Sequence, residues 1–362
     1  MLSANHHSHH SIQVLFIDYF PLISPKTDKM TMLEIIGNTL QMILPAYFSK
    51  MRFEEELKMI EPYYNGTKTW RKHLEGVAFN MVNSNRYLDY ASPTLPKTVF
   101  IGGMQVNTNK NGKVKLYEDW DDLLNQRKQN VLVSFGSNAF SSDMPDEFKK
   151  TFLEVFASTP DVTFIWKYEE ANATLASHLK NVKLTTWMPQ NDLLADPRLT
   201  LFVTHGGLGS SIELAHQGKP AIVIPLMADQ PRNAHMLTRH GGALQLGKSD
   251  LNDPEIIRNA IRDVLENKVY QENAERLAKI LKYQPYSPAD VVLKHCDFAV
   301  KFGPLDTLQS EGRHLNLFQF YSYDIFVVLF LIVLSIIVII VLIFTVCLRF
   351  FRKFSSNKVK KE

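Results

Sequence analysis

Six short apolar runs separated by helical patterns constrain this chain more than any other feature. VLVSF (131–135), VTFIW (162–166), VKLTT (182–186), LTLFV (199–203), AIVIP (221–225) and ALQL (243–246) are rich in β-branched residues. Runs that are apolar throughout, rather than alternating, mark strands covered on both faces. Helical patterns over 146–157, 210–216 and 230–240 lie between them, and 253–266 and 270–281 read as closing helices. Strands alternating with amphipathic helices predict a doubly wound α/β domain with a parallel sheet. Its ligand crevice belongs at the carboxyl ends of the strands.

A second run, IFVVLFLIVLSIIVIIVLIFTVCL (325–348), carries no charge. It exceeds the roughly 20 residues that a helix needs to cross a bilayer. Arg349, Arg352, Lys353, Lys358, Lys360 and Lys361 follow it, against Arg313 alone shortly before. The positive-inside rule places that tail in the cytosol and the body of the protein in the lumen. A lumenal body would expose two glycosylation sequons, Asn65-Gly66-Thr67 and Asn172-Ala173-Thr174. The two cysteines, Cys296 and Cys347, define no disulfide framework.

The 362 residues suffice for about two domains. A net charge of +3, with Lys and Arg scattered except at the C-terminus, argues against nucleic acid as a partner. The N-terminal stretch 1–25, with His6, His7, His9 and His10, reads as a tail with no basic-then-apolar leader pattern. From 30 to 72 the apolar spacing is helical, with Pro45 expected to break or kink it. Residues 77–81 and 98–102 read as short strands, and the Asn- and Gly-rich 106–115 as a linker.

Most of the polar chemistry falls between Trp187 and Gln230. The strand over 199–203 runs into Thr204-His205-Gly206-Gly207, and a helix starts near Ser210. A helix N-terminus offers free N–H groups and the positive end of a dipole, and glycines permit close approach, so this turn suits a diphosphate. Gly136-Ser137 forms a second small-residue turn at the same edge. Glu213, one turn into the helix, is placed to accept hydrogen bonds from ribose hydroxyls. Trp187 can stack on a flat base with Gln190 at its edge, and Asp229-Gln230 can hold sugar hydroxyls. Each residue also has a plain structural reading as a tight turn, a half-buried tryptophan or a helix cap. The turn is neither G-x-G-x-x-G nor a P-loop. Asp119-Trp120-Asp121, a metal-binding D-x-D by spacing, lies in the acidic start of a helix.

Trp187-x-Pro189-Gln190, Phe202-x-Thr204-His205-Gly206-Gly207-x-x-Ser210-x-x-Glu213, Gly218-x-Pro220, Pro225 and Asp229-Gln230 together resemble the signature of the UDP-glycosyltransferases. The likeness is to their membrane-bound animal glucuronosyltransferase branch, and it extends over SFGS (134–137), IGG (101–103) and the C-terminal apolar run. The resemblance implies a GT-B fold of two facing Rossmann-like domains, the C-terminal one complete here and the N-terminal one partial. It implies that Trp187 stacks on uracil, with Gln190 supporting base or ribose, and that Glu213 holds the ribose. It also implies that His205, Gly207, Ser210 and Ser137 line the diphosphate, and that Asp229 and Gln230 bind the donor sugar. Gly209 stands where many relatives have Asn.

The implied reaction is inverting transfer of a hexosyl group, glucuronosyl or glucosyl, from a UDP-sugar to hydroxyls of small lipophilic acceptors, with no metal or other cofactor. The family's base is a histidine early in the N-terminal domain, and no residue of this chain matches it, so a donor-binding or regulatory subunit is the alternative. Such a subunit would associate with related transferases. Lys358-x-Lys360 resembles a dilysine retrieval signal, which implies the endoplasmic reticulum membrane. The expected division is a tail (1–25), a partial acceptor-side domain with linker (26–115), a UDP-sugar-binding domain (116–300), a juxtamembrane segment (301–324), the membrane helix (325–348) and a basic tail (349–362).

Overall fold

A computed structural model of the protein describes residues 30–63, 76–92, 94–106 and 116–359. The histidine run, Asn65, most of the 106–115 linker and residues 360–362 lie outside them. Six parallel strands form the main sheet: β3 (Gln129–Ser134), β4 (Val162–Lys167), β5 (Val182–Thr185), β6 (Leu199–Thr204), β7 (Ala221–Val223) and β8 (Ala243–Gln245). Their order is β5-β4-β3-β6-β7-β8. Every apolar run read from the sequence is therefore a strand of one sheet. β1 (Asn80–Val82) and β2 (Thr98–Phe100) pair in parallel as a separate two-stranded sheet. β1 begins three residues later than the apolar pattern suggested.

Alternate residues of each strand feed two cores. Val131, Val133, Leu201, Val203 and Ile222 face an aromatic-rich side under α3 (Asp146–Ala157) and α7 (Pro254–Glu266). There Phe156 stacks on Phe164 with ring centroids 4.2 Å apart, and Trp166 packs against both Phe152 and Phe156. Leu132, Ile165, Phe202 and Val223 face the opposite side. That side is covered by α4 (Gln190–Ala195), α5 (Leu208–Gln217), α6 (Gln230–Thr238) and α8 (Lys268–Lys282). Burial on both faces explains why the strands read as unbroken apolar runs. Leu88, Tyr90 and Val106 belong to this second core, so the segment around β1 and β2 is packed onto the large sheet domain.

Capping residues set several of the helix starts. Asp253 accepts from the Glu255 N–H ahead of α7, which begins with Pro254, and Asn267 accepts from the Val269 N–H ahead of α8. Between α8 and the membrane helix lies a further helix, α9 (Pro288–Phe302), which the helical patterns of the sequence did not mark. Its signal was present: the Ser287 hydroxyl accepts from the Asp290 N–H, with Pro288 in the first turn. The helix at the other end, α1 (Met32–Ile60), runs through Pro45 without a break. A proline costs a backbone bond and crowds the preceding turn, and the strong helix formers around it outweigh that local penalty here. Residues beyond Tyr63 in the expected helix lie outside the description.

The acidic pair Asp119 and Asp121 belongs to α2 (Glu118–Asn125), and Asp121 is 2.7 Å from Arg198. Its carboxylate serves an ion pair at a helix start. After the short α10 (Leu317–Phe320), α11 extends over Tyr323–Val359. Its part Tyr323–Arg349 is the one helix among the described residues long and apolar enough to cross a membrane.

Candidate functional site

Strand order reverses between β3 and β6, where β3 is followed in sequence by its neighbour on one side while β6 lies on the other. A crevice opens at such a switch point because the connections leave in opposite directions. Ser134 and Thr204 end the two strands in register, so Phe135-Gly136-Ser137 and His205-Gly206-Gly207 emerge side by side. The Trp187-to-Gln230 stretch wraps this edge.

His205 is the centre of the turn. It is 9% exposed, and its Nδ1 is buried without a hydrogen-bond partner among the described residues. Two glycines make room for its ring. A Cβ on Gly136, whose φ is +88°, would lie 2.5 Å from His205 Cε1, and one on Gly207 would lie 2.6 Å from Nε2. Lys167, at the end of β4, donates to the Gly136 carbonyl at 2.6 Å and fixes that turn from behind. Burial is the largest influence on the imidazole and holds it below its ordinary value of 6.5; Asp229 opposes the shift and Lys167 adds to it. Burial thus disfavours the protonated ring.

The next helix, α5, starts two residues before Ser210, with Gly207 at its N-cap. Its free N–H groups therefore point at the space beside His205. Glu213 lies one turn further and is tied to α4. Gln190 Nε2 donates to Glu213 Oε2 at 2.6 Å and to Ser210 Oγ at 3.1 Å, while Asn191 Nδ2 donates to Glu213 Oε1 at 3.3 Å. Burial raises the Glu213 carboxyl above its ordinary range, and the Gln190 bond opposes that shift. Trp187, 67% exposed, stands at the rim before α4.

At the far end of the crevice, Asp229 is the exposed N-cap residue of α6 and makes no side-chain cap bond. Asn233 Nδ2 donates to Asp229 Oδ2 at 2.8 Å and to the Gly206 carbonyl at 3.0 Å. Gln230 is turned partly inward: its Oε1 accepts from the Leu226 and Met227 N–H groups at 2.8 and 2.9 Å. Only its amide nitrogen is left for other partners. Ser137 is exposed on the β3 turn. The nine residues singled out in the sequence therefore lie along one sheet edge. Three partners were missed, Lys167, Asn191 and Asn233, because each acts by bracing another group. Asn233 had a signal, its i+4 spacing from Asp229.

Burial also comes first in lowering His216 and His240. A histidine depressed in the fold takes up its proton more readily when unfolded. Its contribution to stability is complete above 6.5 and is lost as pH falls from there toward the folded value. Urea midpoints measured between about pH 8 and about pH 5 are expected to hold level and then decline below about 6.5. A flat profile, or one unaltered by His216→Asn, would contradict this.

A Rossmann-type parallel sheet of this kind is an architecture of GT-B glycosyltransferases. Solved structures share the fold: the glycotransferase of kitacinnamycin matches with TM-score 0.53 and 22% identity, covering 72% of this chain and 65% of that one. A doubly substituted variant of Os79 of O. sativa, in complex with UDP, matches with TM-score 0.52 and 22% identity, covering 65% and 57%. The chain belongs to the UDP-glucoronosyl and UDP-glucosyl transferase family, whose sequence model matches residues 4–361. UDP-glucuronosyltransferase 2B17 of Mus musculus is 29% identical over 347 residues, which cover 95% of this chain and 64% of the mouse protein. The Caenorhabditis elegans protein ugt-48 is 33% identical over 250 residues, 68% of this chain and 47% of its own length. The chain thus spans about half to two-thirds of the length of these relatives.

Proposed function

We propose that the switch-point crevice binds a UDP-sugar and that the protein transfers its hexosyl group, with inversion, to hydroxyls of small lipophilic acceptors. The observation that carries this reading is the pairing of Gln190, Asn191 and Glu213 beside the buried His205 turn. In the proposed pose uracil stacks on Trp187, ribose hydroxyls donate to Glu213, and the diphosphate lies against His205, Gly207, Ser210 and Ser137. Asp229 and the Gln230 amide nitrogen face the sugar. As the acceptor oxygen bonds to the anomeric carbon, the bond to UDP breaks and negative charge grows on the diphosphate. The N–H groups opening α5 and the helix dipole stabilise that charge. The acceptor's proton passes to a base on the acceptor side, and no residue described here is assigned that role. Neither a metal nor another cofactor enters this scheme.

Calorimetric titration with UDP, followed by turnover of labelled UDP-glucose and UDP-glucuronate against a panel of phenols, tests the reading. Binding and turnover are expected, and absence of UDP binding overturns it. UDP binding without turnover favours the donor-binding subunit that modulates related transferases.

Gly209 gives a finer test. An added Cβ there meets nothing within 4 Å, on the first turn of α5. Gly209→Asn is expected to tighten UDP-sugar binding about threefold to tenfold through one added hydrogen bond. Unchanged affinity would place the sugar elsewhere.

We further propose residence in the endoplasmic reticulum membrane through α11, with the body lumenal and the basic tail cytosolic. Asn172 is exposed on a turn with φ of +62°, open to a glycan. Expression in cells is expected to yield a glycosidase-sensitive band, reduced by Asn172→Gln. A chain without glycan whose body is digested outside sealed microsomes would reverse this topology.

A further inference from the structure

The segment around β1 and β2 meets α6 in a contact that the donor site does not itself use. Asp89 Oδ1 lies 2.6 Å from Arg232 Nη2, with the two side chains 14% and 13% exposed. The same carboxylate accepts from Ser84 Oγ at 2.6 Å and from the Tyr90 N–H at 2.7 Å, so it is held from three directions. The buried Tyr90 ring lies under two guanidinium groups, Arg232 at 5.3 Å and Arg239 at 4.6 Å. His240 Nε2 is 2.8 Å from the Leu88 carbonyl. A partly buried ion pair with both ends bonded fixes geometry more than it adds stability.

α6 is also tied to the donor turn. Asn233, next to Arg232, ties the helix to the Gly206 carbonyl and to Asp229, and Gln230 braces the 226–227 loop. The uracil and ribose candidates Trp187, Gln190 and Glu213 stand on or beside α4 and α5 and share no bond with Asp89 or Arg232. The pair therefore acts on one end of the crevice.

We infer that Asp89 and Arg232 are a positioning pair. They set α6 so that Asp229 and Gln230 meet the hexose, and they couple the β1–β2 segment to the sugar end of the donor. The inference rests on the reading that the crevice takes a UDP-sugar. Neither residue touches the donor; both act through Asp229 and Gln230.

The test uses the full chain in detergent, with Asp89→Asn, Asp89→Glu and the reversed pair Asp89→Arg/Arg232→Asp. Two readouts are compared: affinity for UDP against UDP-glucose, and hydrogen exchange of α6 against α5 without ligand. Asp89→Asn is expected to weaken UDP-glucose about tenfold while UDP stays within about twofold. Exchange in α6 should quicken about tenfold and that of α5 remain as it was. Asp89→Glu and the reversed pair should restore part of both. UDP and UDP-glucose weakening in parallel, or no split with α6 unchanged, overturns the inference alone. A wild-type chain that binds neither ligand overturns the donor reading and this inference with it.

Discussion

Glu213→Ala is expected to weaken UDP binding about a hundredfold, with Glu213→Gln about tenfold weaker than the wild type. Each oxygen of this carboxylate already accepts one amide N–H, from Gln190 and from Asn191, which aims the remaining lone pairs toward the crevice. Hydrogen bonds to a charged acceptor are worth about 1.5–3 kcal/mol each, and in the alanine variant two ribose hydroxyls exchange the carboxylate for water. The glutamine keeps the shape but offers one oxygen and loses the charge. Alanine also strands the Asn191 amide and leaves the Gln190 amide with Ser210 alone, so the rim that carries Trp187 loosens with it. Titration calorimetry with UDP decides the matter, and an unchanged affinity in Glu213→Ala would remove ribose from this helix. Because burial already raises the Glu213 carboxyl, UDP affinity should also begin to fall at a higher pH than an exposed glutamate would allow.

Gly136→Ala should be nearly as damaging to binding and should also cost stability. The backbone there is left-handed, which costs a residue with a side chain roughly 1–2 kcal/mol. The new methyl group would also meet the His205 ring, whose Cε1–Nε2 edge already lies close to both Gly136 and Gly207. A loss of about 2–3 kcal/mol in urea unfolding and about a hundredfold in UDP affinity is expected. Gly209→Ala is the internal control, since nothing lies within 4 Å of its added carbon and alanine favours a helix by up to about 1 kcal/mol. If the two variants behave alike, the close fit around His205 has no bearing on the site. The glycines here were read as room for a ligand. The structure adds another reason: at Gly136 and Gly207 they make room for the imidazole.

The pairing of distant groups was the least legible part of the site. Gln190 could be read as a contact to the base, but its 2.6 Å bond to Glu213 joins residues 23 positions apart on different helices. Gln230 was read beside Asp229 as a sugar ligand, yet its carbonyl oxygen is taken up by its own preceding loop. Asp89 and Arg232 carried no sequence signal at all, being 143 residues apart and each ordinary in its surroundings.

What the chain determines by itself is therefore everything that repeats or persists locally. Unbroken β-branched runs must be strands covered on both faces, and a 24-residue uncharged run must find an apolar phase. A glycine turn between strand and helix must expose backbone N–H groups. Local periodicity fixes these because each depends on neighbours within a turn or two. Only the tertiary structure decided the strand order that brings β3 beside β6, the burial of His205, and the inward turn of Gln230. It alone also closed the grip of Asp89 on α6. Those depend on which surfaces meet across the fold, and side chains far apart in sequence learn their partners only when the sheet has closed.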